Sequence, residues 1–307
     1  MTIAVYVAIY LGAAIFALGC VLRILQYARM PVHLRWELYP VPHEEKSRVA
    51  HGGSYFESVN WWTRPQHFSL AGELRSMLPE MLFLKGLWEF NRRLWYASFL
   101  FHAGLYLTIA TAVPIAAVAV FGGPSHASFA FWMRGVGHAT GYAGCMLTLS
   151  GAVALLFRRL TDPDLKNYTR AADIFNLHAF ILTYGLVAAG YLVRGEHTAG
   201  ASAVLRGLAT FDTSLTISAG FGVGLMLASA LAAYIPFTHM AHFIAKYFTY
   251  HAVRWDDRAN LHGGSLESTM AEYLAYRPTW KAAHIGADGE KSWGAIVTTN
   301  PNQEATK

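Results

Sequence analysis

His102, His138, His178 and His242 stand inside stretches that are otherwise long and apolar. An ionisable side chain at membrane depth is costly, so it marks a functional site by default. Imidazole is a common axial ligand of haem iron. Histidines on separate spans therefore suit a prosthetic group held between helices, as in a membrane cytochrome b. The competing reading is a histidine that is merely hydrogen-bonded near a helix end. It applies to His178, His138 and His239 more than to His102 and His242. The nine histidines of the loops and tails, His33, His43 and His51 among them, read as surface residues.

The elements that position these side chains follow from composition. The chain is 54% hydrophobic and only 14% charged, against about 25% charged in soluble domains. An all-α integral membrane bundle of five helices is expected, spanning roughly 3–27, 95–121, 131–157, 173–193 and 214–248, each with the 20 or so apolar residues that one crossing needs. The first stretch reads as a retained anchor and not a cleaved signal. Cys20 and Cys145 form no CxxC pair, so this chain is expected to hold no iron–sulfur cluster or structural zinc of its own.

The net charge of +5 follows topology and does not suggest nucleic acid. Segment 28–94 carries nine Lys and Arg, 158–171 four and 246–307 seven, whereas 122–130 has none and 194–213 only Arg194 and Arg206. Positive residues stay on the cytoplasmic side, so the N-terminus is expected outside and the C-terminus inside. The organisation is then a first span (1–27), a cytoplasmic docking segment (28–94), four spans (95–248) and a cytoplasmic partner-binding tail (249–307). The docking segment holds Trp36-Glu37-Leu38-Tyr39-Pro40-Val41-Pro42, Trp61-Trp62, and an apolar face of Met77, Met81, Leu84 and Trp88. That face suits an interfacial helix or a partner. The tail, with Trp255, Trp280 and Trp293, is too aromatic to stay disordered. It is expected to order against a partner or against segment 28–94.

With a rise of about 1.5 Å per residue, His102, His178 and His242 each lie roughly 8–10 Å in from the cytoplasmic edge. Two axial imidazoles need similar depth on facing helices, which His102 and His242 satisfy. His178 and His239 are reserve ligands. His138 enters from the outside and sits near the opposite face. With Arg134 and Tyr142 at helical spacing, it suits an outer quinone site or a ligand of a second haem. Gly135, Gly137, Gly141, Gly144 and Gly151 in the third helix, and Gly220, Gly222 and Gly224 in the fifth, allow close approach of a helix or a porphyrin.

At this point the run Leu94-Trp95-Tyr96-Ala97-Ser98-Phe99-Leu100-Phe101-His102-Ala103-Gly104 resembles the second helix of the gamma subunit of respiratory nitrate reductase. Pro236-Phe237-Thr238-His239-Met240-Ala241-His242 resembles the end of its fifth. The runs Leu78–Leu84, Arg158–Pro163 and Asp173–Leu177 are similar to related cytochrome b subunits of heterodisulfide-reductase-like and sulfite-reduction-associated membrane complexes. The resemblance, over about residues 1–255, implies haem b on His102 and His242. It also implies a quinone or menaquinone substrate, a cytoplasmic iron–sulfur partner subunit and a multi-pass place in the cell membrane. The family's outer haem ligands fall near Ala112 and Gly224, which cannot bind iron. One haem is therefore expected, with a second on His138 and Met226 as the alternative. The function expected is electron relay between the quinone pool and that partner. A proton or solute transporter using its membrane histidines, or a haem-free anchor, are the other readings.

Overall fold

A computed structural model describes residues 1–31, 40–45, 47 and 53–299 of the chain. His33, His51 and the stretch Trp36–Tyr39 lie outside the described residues. Among those described, the architecture is helical with no strand, and five helices are long and apolar enough to cross a membrane. They are Thr2–Ala28, Arg92–Phe121, Ala127–Thr161, Ala171–Leu192 and Ala219–Phe237. The chain divides into two compact units: Met1–Leu25 with Leu70–Ile244, and Gln26–Ser69 with Ala245–Lys307.

The first unit holds the spans, and small residues set how closely they cross. A Cβ added to Gly151 on the third span would lie 2.3 Å from the backbone nitrogen of Phe101 on the second. One added to Gly190 on the fourth would lie 2.4 Å from the Gly220 backbone on the fifth. Such backbone-to-backbone approach is how helices pack where apolar burial gives no drive toward protein over lipid. Gly224, at a position where the family resemblance implies an outer haem ligand, is used the same way, against Val187.

The first span is sewn to the far end of the chain by polar contacts. The Thr2 hydroxyl donates to the Leu215 carbonyl at 2.6 Å, Tyr6 to that of Asp212 at 3.0 Å, and Arg23 Nε to that of Pro236 at 2.7 Å. Capping sets the turn between the third and fourth spans. The Asp162 carboxylate accepts from the backbone of Asp164 and Leu165, Pro163 opens the next short helix, and Arg158 pairs with Asp162. Asp173 accepts from the Arg170 backbone N–H at 2.9 Å and starts the fourth span.

The connection 194–213 contains a helix, Ala201–Thr210, whose Arg206 donates to the carbonyls of Val118 and Ala119 and so satisfies the end of the second span. One feature differs from the sequence expectation. The fifth helix does not run to 248. It stops at Tyr234, passes through Pro236 into an extended Thr238, and restarts as the short helix His242–Phe248. Proline removes a helix hydrogen bond, and the Thr238 hydroxyl accepts from Met240 N–H, so a new helix start competes with continuation.

In the second unit His43 is buried, at 4% exposure, and is not a surface residue as the sequence implied. Its Nε2 lies 2.8 Å from the Asp257 carboxylate, which also accepts from the Tyr55 hydroxyl. Trp255, only 1% exposed, packs on His43 and Tyr250. Burial alone would push the Asp257 carboxyl up. The hydrogen bonds from His43 and Tyr55 overcome this and hold its pKa below the usual carboxylate range. Glu44, also buried, accepts from the backbone of Val41 and Tyr55.

Candidate functional site at the end of the second and fifth spans

His102 follows the crossing at Phe101 and Gly151. Its Nδ1 donates to the Ser98 carbonyl at 2.7 Å. A carbonyl only accepts, so in the neutral ring the proton sits on Nδ1 and the lone pair on Nε2, the tautomer that ligates a metal. His242 opens the short helix after the break, with Nδ1 3.3 Å from the His239 carbonyl. The two rings stand with centroids 6.0 Å apart at an interplanar angle of 68°. Phe101 packs edge-on to His102 and to Phe180 of the fourth span, and Tyr106 lies 6.3 Å from His102.

The reserve histidines go elsewhere. His239 Nε2 lies 3.5 Å from the Asp173 carboxylate, and Arg159 lies 3.6 Å from the same group. The Asp173 carboxylate thus ties the start of the fourth span to the segment that carries His242. His178 is exposed, with its Nδ1 on the Ile174 carbonyl at 2.8 Å. The rings of His102 and His242 meet each other and not His178 among the described residues.

Toward the other end of the bundle, His138 Nε2 lies 3.1 Å from the Tyr191 hydroxyl, and Tyr142 stands about equidistant from both rings, at 6.2 and 6.3 Å. Phe221 backs Tyr191 at 5.2 Å. The Arg194 guanidinium lies 3.6 Å above the Tyr191 ring and donates to its carbonyl at 2.6 Å. Arg134 is exposed and enters no described hydrogen bond or ion pair. Tyr191 and Arg194 were missed in the sequence. Their signal was an arginine on the side otherwise nearly free of basic residues, three positions after a tyrosine.

Among the described residues no group of three or more His, Cys, Asp or Glu converges as a bare metal ion would need. The pair His102 and His242 instead suits a metal whose remaining ligands come with a prosthetic group. No curated protein matches the chain. The family model of the nitrate reductase gamma subunit matches residues 87–256, which include both histidine groups and four of the five spans. That match covers more than half of the 307 residues, and with its five spans this multi-pass membrane protein belongs to the nitrate reductase gamma subunit family.

Proposed function

We propose that the chain is a membrane cytochrome b subunit that passes electrons between quinone and a cytoplasmic iron–sulfur subunit, through a haem b held by His102 and His242. The observation that carries this is the 6.0 Å separation of the two rings. Two imidazoles holding one metal ion between them at about 2 Å each would have their centroids roughly 6 Å apart. The donor set also fits, because the His102 Nδ1 donates to the Ser98 carbonyl, the tautomer with its lone pair on Nε2, and the His242 Nδ1 lies 3.3 Å from the His239 carbonyl. A haem bound there supplies one-electron exchange. The chain's own residues do the rest. Phe101 packs edge-on to the His102 ring and is itself backed by Phe180, and the Asp173 carboxylate, beside Arg159 and His239, ties the fourth span to the segment that carries His242.

The basic segments 28–94, 158–171 and 246–307 support a cytoplasmic placement of this end of the bundle. A soluble cluster-bearing partner would then approach there. Quinone exchange is assigned to the outer group of His138, Tyr142 and Tyr191. An apolar wall with a few polar hydrogen-bonding groups is what a quinone headgroup requires. His102→Ala and His242→Ala are each expected to abolish the low-spin haem spectrum of the purified protein while it still inserts. Unchanged spectra in both variants overturn the assignment.

A further inference from the structure

We propose that residues 70–90 form a re-entrant helical hairpin whose tip lies in the hydrocarbon of the leaflet beside Arg92, its outer stripe covered by lipid acyl chains. Helix Leu70–Phe83 ends at Leu84, whose left-handed φ of 53° separates it from helix Lys85–Phe90, and Arg92 then opens the second span. A helix end leaves backbone carbonyls and N–H groups without partners. In water, solvent satisfies them; in hydrocarbon, protein groups must.

Here side chains do it. The Tyr106 hydroxyl donates to the Met81 carbonyl at 2.6 Å, and Trp95 Nε1 to that of Phe83 at 2.7 Å. The Glu80 carboxylate accepts from Gly86 N–H at 2.7 Å. Depth follows from the second span. Arg92 and Arg93 mark its aqueous edge, and Tyr106 lies on the order of 20 Å along the axis from Arg92. A helical side chain leans back toward the N-terminus, which still leaves the bond to Met81 well below that edge. Phe83 stacks on Phe99, about 10 Å along the span from Arg92, and Trp88 packs on Trp95 nearer that edge.

Leu70, Leu74, Leu78 and Leu82 repeat every four residues and are all exposed, as are Tyr96 and Leu100 on the adjoining second span. The stripe is aliphatic, with Arg75 exposed in the first half of the helix and Phe83 exposed at its end, and it continues the surface that the bilayer covers. Lys85, beside the tip, lies 3.6 Å from Glu89, in keeping with a side chain that reaches back toward the aqueous edge. Residues 70–86 precede the family match, and the proposal stands independently of the haem assignment.

The test places single cysteines in a Cys20→Ser, Cys145→Ser background and labels open membranes with an impermeant maleimide. Leu78→Cys and Leu82→Cys are expected to react roughly tenfold more slowly than Val59→Cys, which is exposed in the second unit, and like Val153→Cys on the third span. Should Leu78→Cys fail to accumulate, Leu74→Cys, one turn earlier, reads the same contrast. Adding Tyr106→Phe, which keeps the ring and removes the donor to Met81, should raise the Leu82→Cys rate several-fold. Labelling of Leu78→Cys and Leu82→Cys at the Val59→Cys rate, or their cross-linking to a soluble subunit, overturns the proposal.

Discussion

At the scale of single residues, the clearest assignments come from what a neighbour can and cannot donate. The Ser98 carbonyl fixes the His102 tautomer, and Asp173 draws His239 away from the pair. Tyr191, hydrogen-bonded to His138, is the most direct test of the outer site. Tyr191→Phe and His138→Ala are each expected to leave the inner haem spectrum intact while slowing its reduction by quinol analogues, about tenfold for a lost hydrogen bond near the upper end of the usual range. A haem-to-protein ratio near two, with one haem lost in His138→Ala, would make that histidine a ligand instead. Asp257 gives a pH signature. Its folded pKa is depressed, so its stabilisation is complete above the unfolded value near 3.9 and is lost as pH falls through that value toward the folded one. Near-ultraviolet circular dichroism around Trp255 should therefore collapse in that acid window, and Asp257→Asn should weaken the signal at neutral pH.

At the scale of elements, the spans were legible because each is a long apolar run, and the rings of His102 and His242, read at similar depth, do meet. The break in the fifth helix was only half legible. A proline at 236 disfavours a continuous helix, but the separate start at His242 depends on the Thr238 hydroxyl winning over helix continuation, a local competition that periodicity does not register. His43 was misread because its partner Asp257 is 214 residues away, and nothing local signals that burial. The glycines that let helices cross were recognised as a class but not individually. Gly151→Val is expected to destabilise the bundle by about 3 kcal/mol or more, because the added atoms meet backbone that cannot yield. Gly135→Ala on the same span meets nothing within 4 Å and should be neutral. Thermal inactivation in detergent, followed through the haem band, separates the two.

At the scale of the whole molecule, the family match and five spans make this a membrane subunit of a respiratory assembly, and the docking proposed for a soluble partner is tested on the second unit. That unit gathers Gln26–Ser69 and Ala245–Lys307 around buried Trp255, while Trp62, Trp280 and Tyr276 stay exposed. A photoactivatable cross-linker at Trp62 or Trp280 in inside-out vesicles should trap an iron–sulfur subunit. Cross-links that form only from the 122–130 or 194–213 connections would reverse the orientation. The contacts of the first span carry a consequence for synthesis. Thr2, Tyr6 and Arg23 bond to Leu215, Asp212 and Pro236, residues that the ribosome makes some 200 positions later. This helix is therefore made long before those partners, and until then its polar groups wait in the membrane or on the insertion machinery. Chains stalled before residue 212 should expose that helix to degradation, so quality control of this protein reads the arrival of its fifth span.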